Sequence, residues 1–256
     1  MDFSKVTAIV TGGASGLGEA TVRHIAKSGG RAVIFDLNEA RAQQVMADFS
    51  EGQVSYVETD VTNALQVEKN VKLAADLLGQ INLLVNCAGI GTPGKVVSKG
   101  QPLALERFEK VIQVNLVGSF NVLRAVAAAM QHNEPNENGE RGVIISTASV
   151  AAFEGQIGQA AYSASKGGIV SMTLPIAREF ARDGIRVMAI APGLMKTPMF
   201  DGLPEAAVAS LSATVPFPAR LGHPAEYAEL VESIVENPLL NGEVIRLDGA
   251  LRMQPK

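Results

Sequence analysis

Seven short runs of β-branched and apolar residues, VTAIV, RAVIF, VSYV, INLLV, GVIIS, IRVMAI and EVIRL, recur along the chain. Between them lie longer stretches with helical periodicity, roughly 17–28, 39–49, 63–78, 105–130, 160–182 and 226–236. The short runs have strand length and the intervening patterns have helix length. Strict alternation leaves few options, because neighbouring parallel strands need a crossover and the crossover helices must cover both faces of the sheet. The expected fold is α/β: a Rossmann-like, doubly wound, seven-stranded parallel sheet with helices on both faces, forming a single domain over 1–256. Its cofactor half should span about 1–150 and its catalytic and substrate half about 151–256. Such a sheet binds ligands beyond the carboxyl ends of its strands, and the polar clusters of this sequence fall at those ends.

The apolar share of 47% over 256 residues suffices for one sizeable core. A net charge of −4 leaves no basic footprint, which speaks against direct contact with nucleic acid. No stretch approaches the apolar length of a membrane span, so no membrane role is expected. The single cysteine, Cys87, excludes an internal disulfide and fits a reducing compartment. Only Met1 to Lys5 precede the first strand run, and Asp2 is acidic, so neither a secretory nor an Arg-rich leader fits there. Cytoplasm is the expected location, with the mitochondrial matrix as alternative. Two long polar loops are expected at 91–102, with Lys95 and Lys99, and at 131–141.

The run TGGASGLG, Thr11 to Gly18, follows the first strand and opens a helix, the setting in which a glycine string points to a dinucleotide. Gly12 can make the tight turn, while Gly16 and Gly18, flanking Leu17, allow close approach of a diphosphate to which Ser15 can donate. The helix amino terminus adds partial positive charge. Asp36 closes the next strand, where a carboxylate can bind the adenosine ribose hydroxyls and repel a 2′-phosphate. No Arg or Lys stands at Gly13, Ala14, Leu37 or Asn38 to receive such a phosphate, so NAD is the expected cofactor. Asp36 can alternatively serve as a helix cap. Asp60 and Val61 close the third strand and Cys87, Ala88 and Gly89 the fourth, beside adenine and ribose in such a sheet. Asp60 can bond the adenine amino group or cap the helix near Asn63. Cys87 reads as a small pocket-lining residue, because no histidine is placed to activate it. His24, His132 and His223 share no ligand spacing with Cys or carboxylates, so no metal site is expected.

Tyr162 and Lys166 stand four apart in YSASKGG, thirteen and seventeen positions after Ser149. An i,i+4 pair projects from one helix face about 5–6 Å apart, so the Lys166 ammonium can favour the Tyr162 phenolate. A free tyrosine ionises near pH 10, and bringing it to neutrality requires about 4 kcal/mol. One unit charge at about 4 Å in an effective dielectric near 20 supplies that amount. The chemistry this suits is alcohol oxidation and ketone reduction, with Tyr162 as acid/base and Ser149 holding the substrate oxygen.

These residues, in this order and spacing, resemble the short-chain dehydrogenase/reductase family over essentially the whole chain. The strings TASVAAFEGQ, GQAAYSASKGGIVSMTLPIAREF, IAPGL and NGEVIRLDGALRMQP are similar to its hydroxysteroid and 3-hydroxyacyl-CoA dehydrogenases. The resemblance implies Ser149, Tyr162 and Lys166 as the catalytic set, with Lys166 also on the nicotinamide ribose, and Asn115 as fourth member. Asn115 breaks the apolar pattern VIQVNLVGSF, at a cost to the helix; it can serve a water relay to Lys166 or be a satisfied buried amide. The run Pro192, Gly193, Leu194, Met195, Lys196, Thr197, Pro198 resembles the family's nicotinamide carboxamide loop, with Thr197 and the Met195 backbone as contacts.

The implied reaction is NAD-dependent interconversion of 3-hydroxyacyl-CoA and 3-ketoacyl-CoA, with hydroxysteroids as further substrates. Gln156 and Gln159 can hydrogen-bond an acyl thioester or a polar ring substituent, and Lys95 and Lys99 can meet CoA phosphates or remain solvated. Met199, Phe200, Leu203, Leu211, Val215 and Phe217 read as a lid over an apolar pocket, or as a surface helix over the core. Small residues Ala161, Ala164, Gly167 and Gly168 permit close helix packing, and Pro175 should bend their helix; the resemblance implies a homotetramer built partly through it, with Leu251 and Met253 reaching a neighbouring subunit. Two alternatives stand beside this reading: a 3-oxoacyl-carrier-protein reductase, against which Asp36 argues, and a scaffold subunit of an RNA-processing assembly with incidental activity, against which the intact Ser149, Tyr162 and Lys166 argue.

Overall fold

The structure, a computed structural model, describes residues 1–198 and 204–255. All seven apolar runs form strands of one parallel sheet: β1 (Thr7–Thr11), β2 (Arg31–Asp36), β3 (Val54–Glu58), β4 (Leu83–Asn86), β7 (Gly142–Thr147), β8 (Ile185–Pro192) and β9 (Val244–Leu247). Two short antiparallel strands, β5 (Val97–Ser98) and β6 (Gln101–Pro102), make a hairpin inside the loop at 91–102. The sheet order is β3, β2, β1, β4, β7, β8, β9. The chain winds outward from β1 to β3 and then returns to β4 on the other side of β1. The carboxyl ends of β1 and β4 therefore flank a switch point, where such sheets open a crevice.

The connecting helices are α1 (Gly16–Lys27), α2 (Glu39–Met46), α3 (Ala64–Leu78), α4 (Leu105–Ile112), α5 (Ser119–Met130), α6 (Ala160–Phe180), α7 (Glu205–Ser212) and α8 (Pro224–Glu236). The period of two along each strand sends alternate residues to opposite faces. In β1, Ala8 and Val10 join Val22 and Ile25 of α1 and Tyr227 and Val231 of α8 in one core. Ile9 points the other way, into a second core with Val67 and Val71 of α3 and Val122 and Val126 of α5. With both faces covered, β1, β4, β7 and β8 are buried throughout, which explains why they read as continuous apolar runs.

Three sequence expectations change here. The helical pattern at 105–130 is long and apolar enough to cross a bilayer, contrary to the expectation from sequence; half of its most apolar window is buried inside the fold, and it packs on α3 and α6 as a core helix. It is not uniform either, because Gln113–Gly118 between α4 and α5 is a π-helical segment centred near Asn115. The stretch read as a lid contains α7, which buries none of its residues; Met199, Phe200 and Leu203 lie outside the described residues. Pro175 does lie inside α6. Gly168 of that helix is pressed on Leu116, where a Cβ would come within 2.7 Å of its side chain.

Candidate active site

The glycine turn is dictated by space as well as by conformation. Gly12 and Gly16 have positive φ values of 64° and 55°, where L side chains are strained. A Cβ on Gly12 would stand 2.9 Å from the Ala88 nitrogen, and one on Gly18 would collide with the Gly12 carbonyl. The turn, the first residues of α1 and the end of β4 are thereby pressed together. Ser15 precedes α1 without spending its side chain on a cap, and the first amides of a helix have no partner within it.

At the end of β2, Asp36 accepts from the amides of Ala14 and Asn38, both at 3.0 Å. Asn38, not Asp36, caps α2, accepting from Arg41 at 3.1 Å. At the end of β3 the division is the same: Asn63 caps α3. Asp60 instead accepts from the Thr62 amide and hydroxyl at 2.9 and 2.7 Å, which holds its carboxyl below the usual range. Both carboxylates face a cleft of about 470 Å³. Gly12, Ser15 to Gly18, Val61, Cys87, Ala88, Gly89, Tyr162, Lys166 and Thr197 contribute to its wall. Two cations that no sequence motif marks lie near it, Lys110 and Arg41. Lys110 of α4 lines the cleft on the Asp60 side. Arg41 reaches the Ala14 carbonyl with Nε at 3.3 Å, about one helical turn beyond Leu37 and Asn38.

β7 ends at Thr147 and leads to Ser149, while α6 presents Tyr162 and Lys166 on one face. Lys166 is buried; its Nζ donates to the Thr147 carbonyl at 2.6 Å and lies 5.8 Å from the centroid of the Tyr162 ring. Burial pulls this ammonium down to about 8. Burial raises the Tyr162 phenol, and the Ser149 hydroxyl pulls against it. The spacing of four puts both side chains on one helix face, but the carbonyl at the end of β7 takes the ammonium.

Behind Lys166 runs a buried polar chain. Thr147 Oγ1 lies 2.6 Å from the Asn86 carbonyl and 2.8 Å from the Tyr227 hydroxyl. A carbonyl only accepts, so Thr147 spends its one proton on Asn86 and Tyr227 donates to Thr147. Cys87 Sγ lies 3.8 Å from the Tyr227 oxygen, and burial pushes its thiol up, which disfavours thiolate. Asn115 is fully buried, and its amide spans Ile90, accepting from N at 2.8 Å and donating to O at 2.9 Å, with a third bond to Ser165 at 3.1 Å. It thus staples the loop after β4 to α6. Gly89 sits between this amide and Lys166: a Cβ there would come within 3.3 Å of Asn115 Oδ1 and 3.7 Å of Lys166 Nζ.

A second cavity, of about 460 Å³, adjoins the cleft. Ser149, Gln159, Pro192, Gly193 and Met195 line it, together with Pro93 from the loop at 91–102 and Met253. The two cavities share Leu17, Thr147, Tyr162 and Thr197, so the phenol stands at their junction. Gln156 lines neither, because its amide donates to the Gln254 carbonyl at 3.1 Å. Leu211, Val215 and Phe217 are also absent from the cavity wall; Val215 is buried beside Gly249 and Phe217 is exposed.

Residues 6–207 match the family model described as short chain dehydrogenase. The human protein named 3-hydroxyacyl-CoA dehydrogenase type-2 is 55% identical over 252 residues, covering 98% of this chain and 96% of the human one. The crystal structure of 3-hydroxyacyl-CoA dehydrogenase type-2 from Mycobacterium avium superposes with a TM-score of 0.95 at 42% identity, covering 99% of this chain and 98% of that one. A 3-ketoacyl-(acyl-carrier-protein) reductase from Brucella melitensis, complexed with NADH, gives a TM-score of 0.86 at 29% identity over 97% and 98% of the two chains.

Proposed function

The chain belongs to the short-chain dehydrogenase family and is an oxidoreductase, and we propose that it interconverts 3-hydroxyacyl-CoA and 3-ketoacyl-CoA with NAD as coenzyme. The observation behind this reading is the junction at Tyr162: a polar cleft ending in Asp36 and Asp60 on one side, a largely apolar cavity on the other. The human and mycobacterial relatives, named for that reaction, support the substrate class.

The cleft suits a nicotinamide dinucleotide by its own chemistry. Gly12 and Gly18 of its turn have no room for side chains, its helix terminus offers unpaired amides, and its far end presents a carboxylate to ribose hydroxyls. Asp36 favours the 2′-hydroxyl over a 2′-phosphate, which supports NAD. The coenzyme supplies the two-electron acceptor or donor.

The protein's own residues supply the proton and the orientation. In reduction, Ser149 positions the substrate oxygen and the Tyr162 phenol protonates it; in oxidation, the Tyr162 oxygen removes the hydroxyl proton. A phenol raised by burial stays protonated through neutral pH, ready to act as the acid. The Lys166 charge, 5.8 Å from the ring, supports the phenolate left behind. Asn115, a satisfied buried amide, fixes the loop facing Lys166. Lys95 and Lys99 stand exposed on the hairpin loop whose base lines the cavity, which supports a role on CoA phosphates. Exposed Val117, Phe120 and Leu174 on α4 to α6, and Phe153 and Ile157 elsewhere, support self-association as a homotetramer.

The test is an assay of NADH oxidation with acetoacetyl-CoA, longer 3-ketoacyl-CoA thioesters, the same acyl groups on carrier protein, and ketosteroids. Preferred turnover of the CoA thioesters is expected. Turnover confined to the carrier-protein thioesters would replace this reading with the reductase alternative.

A further inference from the structure

Segment 248–255 turns back on the same subunit and is clamped there. The turn is tight, with φ of +59° at Gly249 and +66° at Ala250. Arg246 at the end of the sheet grips it: the guanidinium pairs with both oxygens of Glu154 at 2.7 and 2.9 Å, with Asp248 at 2.7 Å, and with the Leu251 carbonyl at 2.9 Å. It also lies 5.2 Å over the Phe153 ring. Arg252 adds a contact to Asp248 at 3.2 Å. Farther along, the Ile157 amide donates to the Pro255 carbonyl at 3.0 Å and the Gln156 side chain to that of Gln254. Charge-assisted, bidentate pairs of this kind fix geometry as well as stabilise it. Glu154 and Ile157 belong to the stretch that joins Ser149 to Tyr162, so the clamp ties the segment to the chain that positions both.

The consequence falls on Met253. It is the one residue of the segment in the wall of the 460 Å³ cavity, which it shares with Ser149, Gln159 and Tyr162. The Leu251 carbonyl is taken by Arg246 and the Leu251 side chain is buried, which leaves Met253 as the residue of the segment placed to meet a substrate. An unbranched methionine fills irregular apolar space and adapts to what lies against it. Contacts with single methylenes in an apolar pocket discriminate by roughly 10- to 200-fold, so a side chain of three heavy atoms beyond Cβ is enough to set a limit.

We infer that Met253 is the specificity-determining wall of this site, limiting the length of the acyl chain admitted, with the Arg246, Glu154 and Asp248 clamp holding it in place. This inference rests on the acyl-CoA reading above. The test compares kcat/KM for a long 3-ketoacyl-CoA with that for acetoacetyl-CoA on the same enzyme preparation. The ratio of the two does not depend on how much of a variant is folded. Met253→Ala should raise the ratio by about tenfold, and Met253→Phe should lower it by a similar factor. Ratios equal to wild type in both variants would overturn the inference while leaving the reaction assignment intact. Absence of turnover with every 3-ketoacyl-CoA in the wild type would instead overturn the assignment on which it rests.

Discussion

The coenzyme cleft and the substrate cavity share Tyr162 but are assembled by different means. The cleft is built from strand ends and the turns that leave them: the glycine turn after β1, Asp36 after β2, Asp60 after β3, Cys87 to Gly89 after β4. Each is fixed by its own backbone and by the parallel order of the strands. The cavity combines the ends of β7 and β8, at Thr147, Ser149, Pro192 and Met195, with Pro93, Gln159 and Met253, which tertiary contacts such as the Arg246 clamp bring to it. A cleft fixed by the sheet should tolerate little change in which coenzyme it takes except at its polar end. A cavity fixed by packed loops should adjust its substrate range through single side chains while the chemistry at the junction stays constant.

The largest effect should come at the junction itself. Tyr162→Phe keeps the ring and removes the proton, so turnover should fall by about 10²–10⁴-fold while NADH binding, followed by fluorescence titration, stays near wild type. Loss of NADH binding in step with turnover would mean that the two compartments are not separable as described. At the polar end of the cleft, Asp36→Ala removes the carboxylate and leaves Arg41 within reach. The preference in kcat/KM for NADH over NADPH should then drop by about tenfold or more, since one charged contact changes affinity by that order; an unchanged preference would take Asp36 out of the account. The smallest effect belongs behind the junction. Tyr227→Phe deletes one buried hydrogen bond to Thr147, whose proton still reaches Asn86. It should cost about 1 kcal/mol in denaturant unfolding and leave NADH affinity alone.

The difference between the two compartments also marks what the amino-acid order reveals. The strands, their alternation with helices, TGGASGLG and the Ser149, Tyr162, Lys166 set are legible because each depends on local periodicity or on a spacing within one element. Asn115 stood out as a polar break in an apolar helix, but the pattern could not show that the helix widens there into a π segment with the amide spent on Ile90. Nothing in the sequence connects Thr147 with Tyr227, eighty positions apart, or Glu154 with Arg246. Gln156 looked as well placed as Gln159, and only the returning segment at 254–255 decides that it faces away from the cavity. Lys166 is the instructive case. Its spacing places it on one helix face with Tyr162, yet the strength of its effect depends on burial and on the Thr147 carbonyl, neither of which a four-residue interval encodes.

That point gives the most direct measurement: the pH dependence of ketone reduction by the wild-type enzyme at saturating coenzyme. Burial keeps the Tyr162 phenol protonated through the neutral range, while Lys166 loses its proton near pH 8 as the buried ammonium titrates. Above that pH the phenolate left after proton donation has no neighbouring charge to support it. Reduction should therefore hold steady from about pH 6 to 7 and decline as pH rises through about 8. A rate that stays level or climbs between pH 7 and 9 would contradict the claim that a buried lysine supports the proton transfer at Tyr162.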